Sequence, residues 1–134
     1  MRYPIAIEPG DARHAYGVVV PDLPGCFSAG DTLDEAIANA PEAIALWLED
    51  RVARGELPPP ARSIESYRKK AQFKGWVWAV VEVDLSRVAD KAERINITMP
   101  SRLLARVDAR ARKTGESRSG FLARAAMEAL SQPK

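Results

Sequence analysis

From Arg94 to Met99 the chain alternates strictly, with Ile95, Ile97 and Met99 on one side and Arg94, Asn96 and Thr98 on the other. A strand built this way has one face for a core and one free to touch something else. Two helices follow it instead of a second strand. Pro100 and Ser101 open the first, on which Leu103, Leu104, Val107 and Ala111 share a stripe, and Gly115 suits its left-handed C-terminal cap. Ser117 is a good N-cap for the second, from Arg118 to Leu130, with Phe121, Leu122, Ala125, Ala126, Ala129 and Leu130 expected to face inward. A lone strand leaves backbone donors and acceptors unpaired, and roughly forty residues seldom bury enough apolar surface to fold alone. Antiparallel pairing of two such strands across a two-fold axis satisfies both needs. The expected dimer core is Ile95, Ile97, Met99, Leu104, Val107, Phe121 and Leu122.

The strand Arg94 to Pro100 and the turn Gly115 to Leu122 resemble the ribbon-helix-helix family, a likeness that covers nearly all of residues 92–131. In that family the two-stranded ribbon enters the major groove of DNA, which is wide enough to admit it. The resemblance implies base contacts from Arg94 to guanine, Asn96 to adenine and Thr98 to a base edge or thymine methyl. It also implies phosphate contacts at the start of the second helix, from Ser117, Arg118 and Ser119, with Lys113 assisting; backbone amides and the positive helix end favour an anion there. The bland alternative is a solvated strand face whose basic excess serves only solubility.

Charge supports a division of labour. Residues 1–90 carry 10 Lys and Arg against 14 Asp and Glu, a net −4, while residues 91–134 carry 10 against 4, a net +6. A basic module behind an acidic body suggests nucleic acid at one end and a different partner at the other. The expected boundaries are a body over 1–84, a linker over 85–92 and the DNA-binding module over 93–131.

In the body, Tyr3 to Glu8 and Ala15 to Val20 read as two strands joined by the turn at Pro9-Gly10-Asp11, and Cys26 to Ala29 as a short third. Thr32 and Glu35 have capping-box spacing, so a helix should start there, with Leu33, Ala36, Ile37, Ala40, Ile44, Trp47, Leu48 and Val52 on its apolar stripe and Gly55 at its end. Pro41 falls inside it at a cost of about 3 kcal/mol, which predicts a kink or a break. Ser63 to Ala71 is read as a short helix, Gly75 to Val83 as a strand covered on both faces, and the whole as α+β.

Tyr3-Pro4, Tyr16-Gly17-Val18, Pro21 to Cys26, Gly30-Asp31-Thr32 and the stretch from Glu35-Ala36 to Ala43-Ile44 together resemble the HicB antitoxin family over about residues 1–55. That resemblance implies a partial RNase H-like sheet with a helix, binding to a small RNA-cleaving HicA-like toxin, and repression of the pair's own operon by operator DNA binding. Asp22, Leu23, Pro24, Gly25 and Asp31 are the expected toxin contacts, chosen because they fall in turns. A homodimer through the ribbon is expected, with pairing into tetramers left open. An alternative is a ribbon-helix-helix regulator whose body senses a small molecule or pairs protomers.

Enzymatic readings are weak. Of the carboxylates available to a two-metal nuclease, Glu8, Asp11, Asp22, Asp31 and Asp34, Asp11 and Asp22 sit in turns and Asp31 and Asp34 flank a helix start, where acids are common for local reasons. With one cysteine, Cys26, and one histidine, His14, no internal disulfide or zinc cluster is available. No catalytic residue, metal or cofactor is expected. Trp47, Trp76 and Trp78 lie in apolar segments and read as core or interface anchors, not base-stacking platforms. No apolar run reaches the roughly 18 residues of a membrane span and the N-terminus lacks a signal-peptide core, so a cytoplasmic location is expected.

Overall fold

A computed structural model describes residues 1–88 and 92–132. They group into two compact units: Arg2–Trp47 with Pro59–Val83, and Met1 with Leu48–Pro58 and the described residues from Asp84 onward.

The first unit is built on a four-stranded antiparallel sheet of β1 (Arg2–Glu8), β2 (Tyr16–Val19), β3 (Phe27–Gly30) and β4 (Val77–Glu82), in the order β3-β2-β1-β4. Register places Ile7 opposite Val18 and Ile5 opposite Ala79, with Tyr3 opposite Val81. Tyr3, Ile5, Ile7 and Val18 share one face and are inaccessible to solvent. The stripe of α1 (Leu33–Ala53) closes on it through Ala36, Ala40 and Ile44, all fully buried. Side chains fix the helix to the β3 side, since Asn39 Nδ2 donates to the Ala29 carbonyl at 2.9 Å and Trp47 Nε1 to that of Pro24 at 3.0 Å. The opposite face centres on Ala6, opposite Val19 and Trp78, and is covered by Tyr67 and Phe73. Phe73 meets Trp76 and Trp78 edge-on at centroid separations of 5.3 and 5.2 Å. Both tryptophans are half-buried and pack against this second face of the sheet.

The local signals around α1 act largely as expected. Thr32 Oγ accepts from the Glu35 amide at 3.1 Å, and the Glu35 carboxylate reaches back to the Asp31 amide at 3.0 Å. The helix runs through Pro41 without a break. Burying Ile44 and Leu48 is worth about 1.5–3 kcal/mol each, enough to outweigh the proline. At its end Gly55 takes φ 71°, and the Gly55 and Glu56 amides bond to the carbonyls of Val52 and Arg51, closing a Schellman cap. The segment read as a helix from Ser63 to Ala71 is instead two 3-10 turns, Ile64–Ser66 and Ala71–Phe73; Tyr67, which caps the first, and Phe73, which ends the second, supply the second face's cover.

In the second unit, α2 (Ser101–Thr114) and α3 (Arg118–Ser131) pack together and bury Val107, Ala111, Gly120 and Met127. Gly115 takes φ 70° and ends α2 with the same cap as Gly55, its amide and that of Glu116 bonding to Arg112 and Ala111. Residues 85–88, expected to belong to a polar linker, form a 3-10 turn over Leu85–Arg87 that docks beside α3 with Leu85 and Val88 buried. Residues 89–91 of that linker lie outside the described residues.

Candidate functional site

Residues 92–100 form no strand in the single chain. Arg94, Asn96 and Thr98 are exposed, and so are the apolar Ile95 at 73% and Ile97 at 58%; Met99 is half-buried. Pairing requires a second strand, and the described residues of one chain offer none here. Leu104, Phe121 and Leu122 are half-buried and Val107 is buried. Leu103, Ala126, Ala129 and Leu130, expected to turn inward, are exposed instead, Leu130 at 79%. The helix pair of one chain thus covers only part of its apolar stripe.

The α3 start is well defined. Ser117 Oγ accepts from the Gly120 amide at 2.9 Å, and the Phe121 amide closes the first turn on the Ser117 carbonyl. Arg118 does not extend freely: its Nε and Nη2 donate to the two Asp108 oxygens at 2.9 and 2.8 Å. These hydrogen bonds, aided by the Arg118 charge, hold the Asp108 carboxyl below its ordinary range. Ser119 and Lys113 are exposed. Sequence spacing gave no hint of the Asp108 pairing, because it depends on how α2 folds back on α3.

In the sheet unit the turn after β2 behaves differently from expectation. Asp22 and Leu23 do not present their side chains outward. Leu23 is fully buried, while the Asp22 carboxylate accepts from Tyr67 Oη at 2.5 Å and from the Arg62 amide at 3.1 and 3.2 Å. Burial, and then the bond to Asp22, push the Tyr67 hydroxyl up to about 12. An Asp in a turn is usually solvated; this one is the internal tie between the turn and the segment that covers the sheet.

Pro24, Gly25 and Asp31 remain exposed, and the sequence reading missed their neighbour Phe27, an edge-strand aromatic exposed to 66%. Phe27 flanks a groove of about 250 Å³ lined also by Val19, Pro24, Tyr67, Lys70 and Phe73. Alternation along the strand could flag Phe27, but its exposure depends on β3 lying at the sheet edge.

The remaining carboxylates have local roles. Asp11 Oδ1 accepts from the Arg13 and His14 amides at 2.8 and 2.9 Å, which lowers its pKa chiefly through the Arg13 bond and makes it a turn residue. Among the described residues, no three His, Cys, Asp or Glu side chains gather as a metal site, and no helix is long and apolar enough to cross a membrane.

Residues 3–126 match the family described as HicB-like antitoxin of bacterial toxin-antitoxin system. The chain belongs to that family. As a HicB-like antitoxin it is not an enzyme. It is 48% identical over 108 residues, 81% of this chain and 80% of the relative, to an uncharacterised 14.9 kDa protein from the rep-hol intergenic region of Haemophilus phage HP1. The crystal structure of the Burkholderia pseudomallei antitoxin HicB superposes with a TM-score of 0.73 at 45% identity, over 98% of this chain and 99% of that one. A chain from a HicA3 and HicB3 toxin-antitoxin complex superposes with a TM-score of 0.53 at 33% identity, over 63% of this chain and 99% of that one. The HicB-like fold is therefore a four-stranded antiparallel sheet with a helix, followed by two C-terminal helices.

Proposed function

We propose that this HicB-like antitoxin neutralises a HicA-like, RNA-cleaving toxin with its sheet unit and represses its own operon as a dimer bound to operator DNA. The observation that carries the DNA half is the exposed row of Ile95 and Ile97 directly preceding a formed, capped helix pair. Burying an Ile or Leu is worth about 1.5–3 kcal/mol, and a two-fold interface collects that from both protomers. Pairing the two segments as a ribbon brings Ile95, Ile97 and Met99 over Leu104, Val107, Phe121 and Leu122, and sets Arg94, Asn96 and Thr98 side by side for base edges. Ser119, Lys113 and the amides at the α3 start then take phosphates, with Ser117 acting as the cap that holds them in place. Residues 93–131 form the DNA-binding module in this reading.

On the toxin side, the contact surface is the β3 edge with its groove: Pro24, Gly25, Phe27 and Asp31, the last followed by exposed Asp34 and Glu42 on α1. Asp22 and Leu23 shape it from inside. An aromatic beside a groove supplies an anchor, and acidic neighbours steer a basic partner. The likeness to a chain of a HicA3 and HicB3 complex supports this reading.

The test is co-expression with the adjacent reading frame. A small basic protein should copurify with the full chain, and Phe27→Asp should lose it while Asn96→Ala keeps it. Asn96→Ala should instead relax base preference at one operator position by about 1–3 kcal/mol. Copurification of no protein, with a metabolite held in the groove, would turn the reading toward a ligand-sensing regulator.

A further inference from the structure

The first turn of α3, given above to DNA phosphate, already faces carboxylates of its own chain. Asp84 Oδ1 accepts from the Ser86 amide at 3.0 Å and its hydroxyl at 2.6 Å. Asp84 Oδ1 lies 2.8 Å from the point a Cβ on Gly120 would occupy, with Ser117 Oγ 3.2 Å from that same point. Gly120 thus leaves the space that Asp84 fills. The turn carrying Asp84 is seated by two buried side chains, Leu85 and Val88. On the neighbouring side Asp108 takes both arms of the Arg118 guanidinium. A carboxylate held against a helix start takes up the same positive helix end that a phosphate would use and repels the phosphate from it.

We propose that the turn from Asp84 to Val88 is an autoinhibitory clasp, in which the Asp84 carboxylate sits against the first turn of α3 beside Ser117 and Gly120, repels a DNA phosphate from it and must leave before the α3 start can engage the DNA backbone. Asp108 reinforces it by holding Arg118. The inference rests on the DNA-binding reading and adds a regulatory step: the affinity of the dimer for DNA is set by how readily the clasp opens.

Because phosphate contacts are sequence-independent, the probe is a mixed-sequence DNA duplex bound by the full chain at several salt concentrations. Asp84→Ala should bind about fivefold to tenfold more tightly than the unaltered protein at moderate salt, with a steeper salt dependence. Removing any negative charge aids DNA binding, so two further variants isolate the clasp. Ser86→Ala, which changes no charge, should also tighten binding, whereas Glu82→Gln, which removes an exposed carboxylate two positions earlier in the chain, should change it less than about twofold. Hydrogen exchange on the unaltered protein needs no variant: the Ser86 amide should exchange faster with the duplex bound than without it. Equal affinity of Asp84→Ala, Ser86→Ala and the unaltered chain, or a Ser86 amide equally protected in the complex, overturns the clasp while leaving DNA binding intact. If no form binds the duplex even at low salt, the DNA-binding reading falls and the clasp with it.

Discussion

Glu116 shows how one residue holds the helix pair together. Its side chain is only 2% exposed, accepts from Arg124 Nε and Nη2 at 2.9 Å each, and takes the Thr114 hydroxyl at 2.7 Å. Burial works against its ionisation, but the bonds from Arg124 and Thr114, with the Arg124 charge, hold the carboxyl below its ordinary 4.5. A carboxylate depressed on folding contributes stability above its unfolded value near 4.5, and that stability is lost as pH falls through the lower folded value. Glu116→Gln should therefore cost about 1.5–3 kcal/mol in urea unfolding at neutral pH. The gap between the variant and the unaltered chain should narrow steadily as the buffer is taken below pH 4.5; a gap independent of pH would mean that the pair does not carry this stability. The turn signal Gly115-Glu116-Ser117 was visible in the sequence, but this use of Glu116 was not. Its partner Arg124 lies nearly two turns into α3, and only the fold-back of the helices brings them together.

At the scale of elements, α1 poses the sharpest conflict between local and tertiary preference. Pro41 removes the amide that would bond to the Ile37 carbonyl, yet α1 is continuous, because its buried stripe gains more than the proline costs. Replacing the proline should expose the unspent difference: Pro41→Ala is expected to raise stability by about 1–3 kcal/mol, read as a higher Tm with the same circular-dichroism spectrum. An unchanged or lower Tm would show that the Pro41 ring is itself needed for packing. The helix ends were legible, since Thr32, Glu35, Gly55, Gly115 and Ser117 are capping residues whose effect is local. The stretch from Ser63 to Phe73 was less so. Its two 3-10 turns are set by what Tyr67 and Phe73 must cover, not by a periodic pattern.

Across the whole molecule, the acidic sheet unit and the basic helical unit follow the charge division of the sequence, but the compact grouping also draws Leu48–Pro58 together with the C-terminal helices. The proposed dimer makes a joint prediction. Ile97→Asp places a charge in the ribbon core and should leave a folded monomer by light scattering, with operator binding reduced at least about a hundredfold, since both the partner and the second half-site are lost. A monomeric variant that still binds its operator at full strength would separate dimerisation from DNA reading. What the sequence determined alone is what short-range chemistry can encode: the order of the four sheet strands and the three α-helices, caps, the alternating pattern from Arg94 to Met99, the charge asymmetry and the family motifs. The tertiary structure decided which turn residues face inward, as with Asp22 and Leu23, which strand residue is left at the edge, as with Phe27, and which carboxylates meet the α3 start, as with Asp84 and Asp108. Those outcomes depend on residues 10 to 45 positions apart meeting in space, and no local pattern records such a meeting.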